Sequence, residues 1–148
     1  MTNRIEKTID VNAPIETVWS ALTDHEKFGA WFGVKLEQPF TPGQASRGHI
    51  TYPGYDHLVM EAVTQEMQPP RYFSYTWHPY AIDPTVDYST ETPTLVEFTL
   101  ASISGGTRVT VVETGFDALP EHRQPDALRM NDSGWASQVV NLKTYVER

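Results

Sequence analysis

Glu113 is the residue of this sequence with the most chemistry to offer. It closes the alternation Val109, Val111, Glu113, which puts a carboxylate on the same strand face as two β-branched apolar side chains. A carboxylate on a dry face is costly unless paired. Placed there, it is suited to orient a ligand's donor group or to work with a tyrosine as an acid/base pair. Near a strand end it would instead reach solvent or an arginine such as Arg129. A register slip of one residue would turn the whole set outward. Tyr52 and Tyr75 carry hydroxyls that need a partner once buried, and a ligand or water can supply it.

Other reactive residue types form weaker patterns. Among the five histidines, His49 and His57 fall with Glu61 on neighbouring strand candidates, His57 and Glu61 four apart and on one face. None of the spacings matches a zinc signature such as H-E-x-x-H, and turn-adjacent surface histidines account for them without a metal. Ser74 or Ser133 with His78 and an aspartate lacks a nucleophile-elbow motif. No catalytic residue, metal or cofactor is therefore assigned. His78-Pro79-Tyr80 and the acids Asp83, Asp87 and Glu91 lie in a proline-rich stretch, 78–93, that reads as a long loop. It is either a solvated connection or a mobile lid.

The elements that must position these groups are legible from periodicity. Ile5, Lys7, Ile9 and Val11 alternate with Glu6, Thr8 and Asp10, a first strand with one wet face and Lys7 near its edge. Pro14 suits the first position of a helix whose stripe is Ile15, Val18, Trp19 and Leu22. A second short helical piece runs from Asp24 toward Phe28 and ends near Gly29, with Trp31 and Phe32 next. Strands are predicted at 48–52, 58–67 and 72–78, where Phe73, Tyr75 and Trp77 share a face. Val96, Phe98 and Leu100 mark a further strand, and Gly105-Gly106 a hairpin turn into the strand that carries Glu113. The spacing then changes. Leu128, Trp135, Val139, Leu142 and Val146 form one helical stripe starting near Pro125 and Asp126, with Gly134 a weak spot inside it.

Composition bounds the function. The chain has 148 residues, enough for one domain (1–148) with a real core, and 39% of them are apolar. It contains no cysteine, which excludes disulfides, thiolate metal sites and cysteine nucleophiles. Net charge is −8 with scattered bases, so nucleic acid is not an expected partner. No run approaches the roughly 18 apolar residues of a membrane span, and the first residues lack a signal-peptide core, which makes the cytoplasm the default address.

The segment from Ile9 to Asp24, IDVNAPIETVWSALTD, with Trp31-Phe32 after it, resembles the opening motif of the START-like (SRPBCC) superfamily. Within it, the sequence is most similar to the homologues of the activator of the ninety-kilodalton heat-shock-protein ATPase. Gly106 to Phe116, GTRVTVVETGF, resembles that family's last strand, and Gly134-Trp135 with Leu142 and Tyr145 its final helix. Two departures stand out: Gln44 follows Gly43 where a second glycine is common, and the 78–93 loop is long.

The resemblance implies an α+β helix-grip fold, a curved antiparallel sheet wrapped around a long C-terminal helix with two short helices after the first strand. It also implies a cavity between sheet and helix for a small hydrophobic or amphipathic molecule, with lipids among the classes the superfamily carries. The lining expected for that cavity is Trp31, Phe32, Tyr52, Phe73, Tyr75, Trp77, Phe98, Val111, Glu113, Leu128, Trp135 and Val139. Two rival functions follow from the same residues: a cyclase- or hydratase-type enzyme using Glu113 and a tyrosine, or a co-chaperone-like interaction module. The family name carries a stress-response association and a chaperone partner, for which no motif speaks here. Fold alone does not choose among these readings.

Overall fold

The computed structural model describes residues 3–148. In chain order it contains β1 (Ile5–Val11), α1 (Ile15–Thr23), α2 (His25–Phe32), β2 (Val34–Leu36), β3 (Ala45–Ile50), β4 (Val59–Gln68), β5 (Tyr72–Trp77), β6 (Thr94–Ile103), β7 (Gly106–Thr114) and α3 (Gln124–Val146). Short 3₁₀ turns at Tyr88–Thr90 and Phe116–Ala118 interrupt the long connections. The seven strands form one antiparallel sheet in the order β1-β7-β6-β5-β4-β3-β2. The long α3 packs on one face of it, and α1 and α2 close that face beside α3: the helix-grip arrangement.

Alternation decides which face is dry. Along β7, Thr107, Val109, Val111 and Glu113 are buried, and the residues between them are not. Along β6 the same holds for Thr94, Val96, Phe98 and Leu100. Each buried Phe or Val removes roughly 1.5–3 kcal/mol of apolar surface cost from water, so a slip of one residue would forfeit the whole set. The register is accordingly continuous from Leu95↔Thr114 to Ile103↔Gly106.

Four local expectations are corrected. Lys7 is mid-strand, and β1 as a whole forms one of the sheet's two edges; Lys7 reaches α3 and pairs with Asp132 at 3.1 Å. The second helix does not stop near Gly29. Asp24 caps it by accepting from the Glu26 and Lys27 amides, and the helix runs on to Phe32, where Gly33 at φ 95° ends it. Gly29 serves close packing instead, since a Cβ there would lie 2.1 Å from the Val34 carbonyl oxygen. In the β6–β7 hairpin the turn residues are Ser104-Gly105, Gly105 taking the positive φ of 83°, while Gly106 already belongs to β7. The strand expected over 48–52 is Ala45–Ile50, which leaves Tyr52 in the following loop.

Candidate functional site

Glu113 is fully buried and, among the described residues, has no cation hydrogen-bonded to it. Four neutral donors saturate it. The Trp77 indole donates to Oε2 at 2.8 Å, the Thr94 hydroxyl to Oε2 at 2.6 Å and the Trp135 indole to Oε1 at 2.8 Å. The Asn131 amide reaches Oε1 at 2.9 Å and Oε2 at 3.2 Å. A carboxylate offers about four acceptor positions, so nothing is left over for a ligand's donor. The donors come from β5, β6 and α3, and the carboxylate therefore stitches the helix to the middle of the sheet. The expected outlet to Arg129 is not used; that guanidinium pairs with Asp126 at 3.2 Å on the surface. Asn131 and Thr94 were not singled out from sequence, because a lone Asn or Thr carries no local signal of what it will meet.

Around this carboxylate lies a continuous cluster of rings. Phe98 and Trp135 meet edge to face at 5.7 Å between centroids, as do Tyr75 and Trp77 at 5.4 Å, and Trp77 and Trp135 lie tilted to each other at 5.8 Å. Phe32 touches both Trp77 and Trp135, and Phe73 stacks on Phe98. Val111 and Val139 are buried in the same core, and Leu128 packs against it half-buried. Directly under α3 the space between sheet and helix is thus filled by side chains. Trp31 belongs to the α1–α2 contact, its indole donating to the Ala21 carbonyl at 2.8 Å. Tyr52 is 44% exposed, and its hydroxyl already donates to the Phe32 carbonyl at 3.0 Å.

Open space lies at one end of the cluster. A cleft of about 600 Å³ is lined by Phe32, Ile50, Met60 and Trp77 on the inside and by Tyr80, Ile82 and Val86 of the 78–93 loop on the outside. Arg47 and Glu61, paired at 2.8 Å across β3 and β4, sit at its rim. Of the twelve residues expected to line a cavity, Phe32 and Trp77 face this cleft. The others are core, or in the case of Tyr52 a brace behind it. His49 turns its Nδ1 to the Asp56 carbonyl at 2.9 Å, and among the described residues no three His, Asp or Glu side chains are placed to hold a metal ion.

The loop wall is fastened rather than free. Arg123, just before α3, donates from Nη2 to Glu91 at 2.8 Å and from Nε to both Glu91 oxygens at 3.1 Å. It also donates to the carbonyls of Tyr80 and Pro79, each at 3.0 Å, and its guanidinium lies 4.6 Å above the Tyr88 ring. Both side chains of the ion pair are only 10% exposed. Glu91 is legible in the sequence as a loop acid, whereas Arg123 carries no local signal, its partners being more than thirty residues away.

Among the described residues, two hydroxyls on the dry face have no partner. Thr64 Oγ1 and Tyr75 Oη are buried and unbonded, although the two residues stand directly opposite each other on β4 and β5. Burial, and secondarily the negative charge of Glu113, hold the Tyr75 hydroxyl well above its ordinary pKa of 10.0, so it stays a neutral phenol.

A sheet gripping a long C-terminal helix, with a cleft at the open end of the grip, defines a START-like protein. The family follows: residues 12–147 match the model of the Activator of Hsp90 ATPase homolog 1-like proteins, and the chain belongs to that family. Solved structures agree on the fold. Protein MLL2253 of Mesorhizobium loti superposes with a TM-score of 0.77 at 22% identity, over 98% of this chain and 97% of that one. The Aha1 dimer of Colwellia psychrerythraea gives 0.73 at 18% identity, over 99% and 97%. DynU16, from the dynemicin biosynthetic locus, gives 0.75 at 22% identity; 99% of this chain is covered, which spans 48% of DynU16. No protein with a curated description matches the sequence. No helix among the described residues is long and apolar enough to cross a membrane.

Proposed function

We propose that this protein binds a small hydrophobic or amphipathic molecule in the cleft between β3, β4, the end of β5 and the 78–93 loop. One observation carries the reading: the cleft has an apolar, aromatic inner wall of Phe32, Met60 and Trp77 and a volume of about 600 Å³. That size is within the range of small-molecule sites, which bury most of an apolar ligand against such walls. The position of Trp77 supports it further. The indole N–H is held by Glu113, so the ring is fixed and little conformational freedom is lost when a ligand stacks on it. The hydrogen bonds on Glu113 also argue against its use as a general acid or base, because every acceptor position is taken in a site from which water is excluded.

The test is a two-dimensional NMR titration of the labelled protein with fatty acids, sterols, flavonoids and aromatic polyketides. Binding in the cleft moves the Trp77 indole resonance together with the amides of Ile50, Met60, Tyr80 and Ile82. Shifts confined to the outer sheet face, or none with any class, would sink the proposal and favour a protein partner instead.

A further inference from the structure

We propose that Tyr75 and Thr64 form an inner polar subsite for that cleft, one that takes a neutral oxygen (a phenol, alcohol or ketone) and rejects a carboxylate. The inference rests on the cleft being a ligand site. It starts from a single row of side chains across the sheet. Register places Ile5 opposite Glu113, Glu113 opposite Val96, Val96 opposite Tyr75 and Tyr75 opposite Thr64. All five are buried on the dry face. Of the three polar members, Glu113 is saturated, whereas both hydroxyls beyond Val96 are unbonded. A buried hydroxyl without a partner forfeits its hydration for nothing in return. A valine and a phenylalanine would fill the same positions without that cost.

The row adjoins the cleft one step inward, and neither Tyr75 nor Thr64 lines it. Trp77 lies two residues from Tyr75 on the same face of β5, and their rings touch. Met60 lies four residues from Thr64 on the same face of β4, with the small, fully buried Ala62 between them. Met60 and Trp77 line the cleft, so two adjacent rows lead from its inner wall to the two free hydroxyls. Charge decides the ligand's polar end. Among the described residues no Lys or Arg is buried on this face; His78, with its Nδ1 buried and unbonded, lines the cleft, and the Glu113 carboxylate stands two strands from Tyr75. An anionic oxygen at the two hydroxyls would meet that charge in a low-dielectric interior with no buried Lys or Arg beside it. A neutral oxygen can accept from either hydroxyl, and a phenol or alcohol can also donate to one.

Three ring compounds of one skeleton separate the possibilities: 2-naphthol, 2-methylnaphthalene and 2-naphthoate, each titrated by NMR into wild type, Tyr75→Phe and Thr64→Val. The expected result is that wild type binds 2-naphthol about three- to tenfold more tightly than its methyl isostere, the range of one net hydrogen bond, and 2-naphthoate most weakly. Tyr75→Phe removes the preference and leaves 2-methylnaphthalene affinity intact; Thr64→Val reduces it. Equal binding of naphthol and methylnaphthalene by wild type overturns the subsite while leaving the cleft in place. A preference that survives both substitutions does the same. If none of the three compounds binds, the cleft reading falls and the subsite with it.

Discussion

Glu113 and Tyr75 occupy one cross-strand row, separated by Val96 and buried to the same degree, 0% exposed each. They differ in satisfaction. Every acceptor position of the carboxylate is filled by donors from three elements, and the phenol has no partner at all. Burial alone therefore says nothing about availability. The charged group, which looked the more reactive from sequence, is a fastener. The neutral one beside it is the group with hydrogen-bonding capacity to spare. The contrast runs through the molecule: the α3 side of the grip is closed by rings and a saturated anion, whereas the far end is bounded by a cleft and a pinned loop.

The sharpest way to break this comparison is to remove the fastener. Glu113→Ala leaves two indole N–H groups, an amide and a hydroxyl buried without an acceptor, and should cost about 3–5 kcal/mol or more in urea denaturation. Glu113→Gln should be nearly as damaging, because its NH₂ group would face donors. A Gln variant of near wild-type stability would mean the cluster does not hold α3 to the sheet. Next in size is the loop latch. Arg123→Ala strands a nearly buried Glu91 and should lower stability by about 2–4 kcal/mol. Hydrogen exchange should accelerate in residues 79–91 specifically, and uniform exchange would show that the loop is held by something else.

A smaller effect appears at high pH. The unfolded chain releases the Tyr75 proton near the ordinary value of 10.0, whereas the folded protein retains it above that value. The unfolded state then binds fewer protons, so stability falls as pH rises past about 10. In Tyr75→Phe that part of the slope should vanish; identical Tm-against-pH curves for the two proteins would show that the phenol is not shielded as described. The smallest expected change is Tyr75→Phe at neutral pH, where removing an unbonded hydroxyl should leave stability within about 1 kcal/mol of wild type, on the stabilising side. A clear loss would mean the hydroxyl is satisfied in solution.

Much of the architecture was readable because periodicity is local. The Val109-Val111-Glu113 alternation, the Phe73-Tyr75-Trp77 face and the Trp135-Val139-Leu142 stripe each face inward as their spacing requires. Boundaries were less readable where two glycines compete to end a helix: Gly29 and Gly33 differ in what packs against them, which spacing does not encode. The candidate site was only half legible. Spacing turns Trp77 and Trp135 inward, yet their joint hold on Glu113 joins residues 36 and 22 positions away from it. Thr64, Asn131 and Arg123 carried no signal at all, since each acquires its role from a strand or loop distant in the chain.

By itself the sequence determined which side chains turn inward, because strand and helix periods act over a few residues and water sorts apolar from polar along each element. It determined as well that no thiol chemistry is available to these residues. Only the tertiary structure decided which buried polar groups are spent and which remain open. That distinction rests on distances of under 3.5 Å between elements separated by tens of residues, and hydrogen bonding falls off too steeply with distance and angle for periodicity to foresee it.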